Sequence, residues 1–249
     1  MDPTYGQAYF ASGIFEQNYG VIADAIIAAY APRTALDVGC GPAHLSKALA
    51  ARGVAVTALD GHSRPDVAGT SVTFHECDLN SSAALERVAG QLKAPFDVAI
   101  CLEVAEHLQP AASDALIAFL CAQAPVVIFS AGIPGQGGNG HINCQARETW
   151  HDRFRRNDFH LAHRLRPRLQ DEPTVASWYR YNLLDYRRAP IAASEQEALV
   201  RSLIATESRV TSELYRQGDE LNRLRSLLSY RPVRAYLGLR AWARDLLRR

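Results

Sequence analysis

Between residues 34 and 43 the chain reads TALDVGCGPA, an apolar run ending in Asp37-x-Gly39-x-Gly41. Such a run predicts a strand that turns sharply beneath a bound nucleoside, because glycine lets the backbone bend tightly and approach a ligand with no Cβ in the way. Nineteen residues after Gly41, a second apolar run over 54–59 ends in Asp60. A carboxylate there can accept both hydroxyls of an adenosine ribose. Strand, glycine turn and distant acid together confine the chain to folds that carry a nucleoside at the end of a sheet.

By itself a glycine loop serves NAD, FAD or S-adenosylmethionine equally. The nicotinamide fingerprint wants a third small residue three positions after its second glycine, opening a helix that holds pyrophosphate; here that position is His44. Asp37, just before the glycines, suits the cationic amino-acid end of S-adenosylmethionine better than a diphosphate. On Leu36-Asp37-Val38-Gly39-Cys40-Gly41 the chain resembles the class I S-adenosylmethionine-dependent methyltransferases, with Ala43 where that family usually has glycine. The resemblance implies a cofactor site of Asp37, Gly39, Gly41, Asp60, Gly61 and Leu102. It also implies that Asp78 or Leu79, beyond the apolar stretch at 72–76, faces the adenine; Asp78 can equally cap a helix over 81–92.

Composition narrows the setting. A chain of 249 residues with 48% hydrophobic side chains can bury one full core with length to spare. The formal charge of +1 gives no general attraction to nucleic acid. Cysteines 40, 77, 101, 121 and 144 form no CxxC pair and read as reduced thiols. The start MDPTYGQAYFAS has no basic stretch followed by an apolar core, and no apolar run reaches the roughly 18 residues of a membrane span. A cytoplasmic protein is the expectation.

Apolar strands at about 34–38, 54–59, 72–76, 96–102 and 125–131 alternate with helical segments near 42–52, 81–92 and 111–121. Alternation of this kind implies right-handed crossovers and a parallel sheet with helices on both faces. A helix over 149–159 and strands over 161–165 and 178–186 complete a seven-stranded Rossmann-like sheet. The expected domains are a methyltransferase domain over 1–190 and a helical extension over 191–249. A helix over 14–30, entered through the aromatic run YFASGIF at 9–15, would lid the cofactor, as in related enzymes.

The fourth strand runs into Glu103-Val104-Ala105-Glu106-His107. A helical turn begun at Glu103 would bring Glu103, Glu106 and His107 to one side, and His141, in the loop after strand five, leaves the same sheet edge. Two carboxylates and two imidazoles suit an octahedral divalent ion, Mg or Mn, with positions left for substrate oxygens. The pattern resembles the metal site of the small-RNA terminal 2′-O-methyltransferases and of the ubiquinone-pathway O-methyltransferases. That implies Glu103, Glu106, His107 and His141 as ligands and a vicinal diol as acceptor. The alternatives are a metal-free general base, His107 or His141, and a structural role. The histidines at 44, 62, 75, 151, 160 and 163 read as surface or loop residues.

Residues 131–141 hold five glycines, too many for a packed element, and read as a mobile cover over the acceptor. Gln136 and Asn143, with Gln145, become candidates for hydrogen bonds to a polyhydroxyl acceptor, and Trp178, Tyr179 and Asn182 for stacking and binding a sugar face. Arginines 153, 155, 156, 164, 166 and 168 form a local cluster that could hold phosphates. In SAGIPGQGGNGHIN and SWYRYNLL the chain resembles methyltransferases found with bacterial surface-polysaccharide assembly.

Leu199, Leu203, Val210, Leu214, Leu221, Leu224 and Leu228 recur near helical period, which predicts an amphipathic helix or short coiled coil that either packs on its own domain or dimerises. Beyond Pro232 a basic amphipathic segment suits a membrane surface or an acidic partner, and SYRPVR at 229–234 resembles weakly the SWRLT-like tails of polysaccharide glycosyltransferases. The expected function is O-methylation of a sugar hydroxyl of a cell-surface glycan or its precursor, at the inner membrane face if the tail meets lipid. The rival acceptors are an RNA ribose and a catechol-like small molecule. The rival class is a cofactor-binding scaffold in a glycan-assembly complex.

Overall fold

The structure, a computed structural model, describes residues 18–188 and scattered positions between 192 and 224. The chain divides into two compact units, Met1–Ser202 and Leu203–Arg249. The aromatic run at 9–15 and the basic segment beyond Pro232 lie outside the described residues. Every described position from Glu195 to Leu224 is helical.

In the first unit α1 (Tyr19–Tyr30) precedes β1 (Thr34–Val38), α2 (His44–Ala50), β2 (Ala55–Asp60), β3 (Val72–Glu76), α3 (Ser82–Ala89) and β4 (Val98–Leu102). After two short 3₁₀ turns come α4 (Ser113–Gln123), β5 (Val126–Ser130), α5 (Arg147–Arg156), β6 (His160–Leu161), α6 (Arg166–Leu169), α7 (Ser177–Asn182) and β7 (Leu184–Arg187). The seven strands form one sheet in the order β3-β2-β1-β4-β5-β7-β6. β1 to β5 pair in parallel, and β7 runs antiparallel to β5 and to β6.

Strands covered on both faces need apolar side chains at odd and even positions alike. Leu36, Val38, Ala99, Cys101, Val127 and Phe129 point into one core with Leu85, Leu116, Leu120, Trp150 and Phe154 of α3, α4 and α5. The intervening Ala35, Val98, Ile100 and Ile128 point into a second core with Ile22, Ile26, Leu49, Leu169 and Tyr179 of α1, α2, α6 and α7. Polar ties fix the ends. Asn18 caps α1 by accepting from the Val21 amide, Ser81 caps α3 by accepting from the Ala84 amide, and Asp97 accepts from the backbone amides of Arg33 and Thr34 at 2.7 and 2.9 Å.

Two of the expected elements differ. Residues 178–186 form the helix α7 and then the four-residue β7, and of 161–165 only Leu161 pairs in the sheet. Aromatic and β-branched content reports fit to a half-buried surface rather than strand as such, and the aromatic residues of 177–182 find that surface as one face of a short helix.

The five cysteines are free thiols. No described helix is long and apolar enough to cross a membrane.

Candidate active site

A cavity of about 370 Å³ opens at the carboxyl ends of the parallel strands, the edge where open α/β sheets bind ligands. One wall comes from the turns after β1, β2 and β3, with Asp37, Gly39, Gly41, Asp60, Gly61, Asp78 and Leu79. The opposite wall comes from β4, the glycine loop and α7, with Leu102, Glu103, Glu106, His107, Gln136, His141, Trp178 and Tyr179.

The first wall is held in shape by its own acids. Asp60 accepts from the Gly41 amide at 2.9 Å and from the amides of His62 and Ser63 at 2.8 and 2.7 Å. One carboxylate therefore ties the glycine turn to the loop after β2 and keeps lone pairs for a ligand. Asp37 is buried and takes the Ser46 hydroxyl. Burial lifts its carboxyl to about 6; the Ser46 bond opposes that rise and the Asp60 charge adds to it. Gly39 has φ +77°, and a Cβ there would overlap the methyl groups of Val104, so the turn closes only on glycine. Tyr19 of α1 roofs this side, its ring centroid 5.5 Å from that of His44.

On the second wall the chain takes a shape that helical spacing does not foretell. Glu103 adopts φ +54°, the left-handed region that side chains rarely enter, and a 3₁₀ turn, Ala105–His107, follows. Both the Ile142 and Asn143 amides donate to the Glu106 carbonyl at 2.9 Å, which pins the glycine loop to that turn. As a result Glu106, His107 and His141 offer ligand atoms within 4.8 Å of one another. Glu103 stands outside that set: it accepts from the Gln136 side-chain amide at 3.2 Å and from that of Asn182 at 3.4 Å. Its departure from the expected helical turn follows from the left-handed kink, which ends the strand before any turn begins.

The electrostatics of this cluster are unusual. Glu106 is fully buried and neither of its oxygens has a hydrogen-bond partner. Burial and then the nearby Glu103 charge raise its carboxyl well above the ordinary range. Burial, and then His141, push His107 down to about 4, against a bond to the Gly140 backbone. The His107 and His141 rings meet edge to face with centroids 4.8 Å apart. A buried, unpartnered carboxylate beside two imidazoles is a donor set that fits a divalent cation.

Not every expected residue lines the cavity. Asn143 is buried beneath it, donating to the Ala105 carbonyl at 2.9 Å and the Ser113 hydroxyl at 3.1 Å, so it anchors the loop. Asn182 lies behind the wall and donates to Gln136 at 2.9 Å while accepting from Arg147, and Gln145 bridges Asn143 and Arg153. The arginine cluster is dispersed: Arg153 and Arg156 pair with Asp114, and Arg166 is buried with its Nε on the Leu183 carbonyl. Of the histidines read from sequence as surface or loop residues, His44 and His62 line the cavity, and His163, in a loop, is buried.

No family model matches the chain. The ubiquinone biosynthesis O-methyltransferase of Azotobacter vinelandii is 40% identical over 86 residues, 33% of this chain and 37% of that protein. That of Aromatoleum aromaticum is 34% identical over 112 residues, 41% of this chain and 45% of that protein. The chain thus matches less than half the length of these curated relatives. Among solved structures, S-adenosylmethionine-bound CalS10, an amino pentose methyltransferase from Micromonospora echinaspora, superposes with a TM-score of 0.54 at 18% identity, covering 74% of this chain and 98% of that one. The magnesium protoporphyrin IX methyltransferase of Synechocystis, also with bound S-adenosylmethionine, gives 0.50 at 23% identity, covering 75% and 88%. This is the class I methyltransferase fold. Here the glycine turn after β1 and the acid ending β2 stand side by side at the open sheet edge, joined by the 2.9 Å bond from Gly41 to Asp60.

Proposed function

We propose that the chain is an S-adenosylmethionine-dependent O-methyltransferase. The observation that carries the reading is that one cavity joins the Asp37–Gly39–Gly41–Asp60 wall to the Glu106–His107–His141 cluster. Asp60 would accept the ribose hydroxyls, Asp78 and Leu79 would flank the adenine, and Asp37, whose ionisation burial opposes, would regain its charge against the cationic end of the cofactor. Likeness to methyltransferases in sequence and in fold supports the same assignment.

In the transfer, an acceptor oxygen attacks the methyl carbon, the sulfur–methyl bond breaks with its electron pair going to sulfur, and the acceptor proton passes to a base. In a metal-free site the base is His107, neutral down to about 4, or His141, which passes the proton on to solvent; with a cation bound, both imidazoles are ligands and the proton leaves to solvent. Glu106, His107 and His141 would hold a divalent cation, which when bound supplies Lewis acidity toward a hydroxyl acceptor. Gln136 and Tyr179 bound the space in which the acceptor must lie, and alignment there contributes as much as deprotonation.

The acceptor we favour is a sugar hydroxyl beside a second hydroxyl, in a cell-surface glycan or its precursor. Trp178 supplies a flat apolar face and Gln136 and Asn139 supply amides to the same cavity, the pairing that suits a sugar ring. A catechol is the second reading, favoured by the likeness to ubiquinone biosynthesis O-methyltransferases. Calorimetric titration of S-adenosylmethionine, followed by transfer of labelled methyl to panels of sugars and of catechols, tests both. Saturable binding weakened by Asp37→Asn, with label entering sugars, is the expected result. Label in catechols alone overturns the sugar reading, and absence of cofactor binding overturns the whole.

A further inference from the structure

Beside the Glu106–His107–His141 cluster, and outside the set whose ligand atoms lie within 4.8 Å of one another, stands one more donor. Cys144 Sγ lies 3.6 Å from His141 Nδ1. Gly132 shows how these groups converge: a Cβ built on it would stand 3.2 Å from His141 Nδ1, 3.3 Å from Cys144 Sγ and 3.3 Å from Glu106 Cγ. Three donor-bearing side chains thus crowd against Gly132, and the absence of a side chain there is what lets them approach one another. The backbone holds them there, since the Ile142 and Asn143 amides on the Glu106 carbonyl fix the stretch from His141 to Cys144. Independently, the fully buried Glu106 carboxylate has two oxygens with no hydrogen-bond partner.

We propose that Cys144 is a metal ligand together with Glu106, His107 and His141, and that the site selects a zinc-class ion (Zn²⁺, Co²⁺ or Fe²⁺) over Mg²⁺. The proposal rests on the metal reading of this cluster given above. The spacing suits coordination: a sulfur at about 2.3 Å and an imidazole nitrogen at about 2.0 Å from one ion lie about 3.5 Å apart at a tetrahedral angle, and an acceptor oxygen would enter as a fifth ligand. Its chemistry is selective, because thiolate and imidazole donors favour zinc-like ions whereas magnesium takes oxygen donors and water. It also accounts for Glu103, whose carboxylate is engaged by the Gln136 and Asn182 amides instead. On binding, the Cys144 thiol gives its proton to solvent and its sulfur forms the coordination bond.

The test is absorption spectroscopy of the full chain, saturated with S-adenosylhomocysteine, as Co²⁺ is added without oxygen. Expected are visible d–d bands together with a near-ultraviolet sulfur-to-cobalt charge-transfer band. Cys144→Ser and Cys144→Ala should each lose the charge-transfer band while still binding S-adenosylhomocysteine, and Glu106→Gln should weaken cobalt binding altogether. Excess Mg²⁺ should leave the wild-type spectrum unchanged, and Zn²⁺ should erase it. Visible bands without the charge-transfer band, its survival in the Cys144 variants, or displacement of cobalt by Mg²⁺ would each overturn the thiol ligand and leave the metal reading standing. Absence of any cobalt or zinc binding would overturn both.

Discussion

Asp37 is a carboxyl group kept where its charge is costly. Because burial raises it to about 6, above the usual value for aspartate, the free fold is most stable with Asp37 protonated and loses that contribution as pH rises through about 6. Asp37→Asn, which can still accept the Ser46 hydroxyl, should therefore raise the melting temperature of the free protein at pH 7.5. The same substitution should weaken S-adenosylmethionine, whose cationic end needs the charge. In calorimetry across pH the wild type should lose affinity below about 6, and the asparagine variant should show no such limb. Gly39→Ala has no compensating gain: left-handed strain of about 1–2 kcal/mol and a collision with Val104 should lower cofactor affinity at least about tenfold.

At the scale of elements, Asp185 of β7 gathers three segments. Fully buried, it accepts from the Tyr30 hydroxyl at the end of α1 and from the backbone amides of Arg164 and Leu165, at 2.9 and 3.2 Å. Asp185→Ala would leave the buried Leu165 amide and the half-buried Tyr30 hydroxyl unpaired, so urea denaturation should show a loss of about 2 kcal/mol, with about 1 kcal/mol for Tyr30→Phe. The five parallel strands were legible in the sequence to within about two residues, because each carries an apolar run bounded by turn residues. The region from 158 to 188 was not. Its strands are two and four residues long, too short for periodicity to register, and α7 draws its helical form from packing of Tyr179 and Asn182. The cavity-lining acids Asp37, Asp60 and Asp78 were legible because each lies at or near the end of a strand. The Glu106–His107–His141 grouping was legible as residue types. Its geometry was not: the displacement of Glu103 depends on a positive φ, and the approach of Cys144 to His141 depends on two backbone bonds to a carbonyl some 40 residues earlier in the chain.

Across the first unit as a whole, buried imidazoles set the acid limit. His163 is buried and held at about 4 chiefly by desolvation, then by the Arg166 charge. A neutral form favoured in the fold gives stability that is complete above about 6.5 and is lost as pH falls toward 4. His107 acts in the same direction. Between pH 7 and 4 these imidazoles lower stability while the raised Asp37 and Glu106 carboxyls add to it, so the comparison is between variants: in denaturation of the full chain, His163→Gln should remove at most about 2 kcal/mol of the acid-side loss relative to wild type once solvent screening is allowed for.

The two walls of the cavity are written in succession along the chain. The first is complete by Asn80, and the second begins at Leu102 and ends near Tyr179, apart from the Tyr19 roof. On the proposed function, a donor-gripping half and a recipient-choosing half would therefore meet in space while remaining separate in text. A gene spliced between β3 and β4 could inherit its methyl source from one parent and its customer from another.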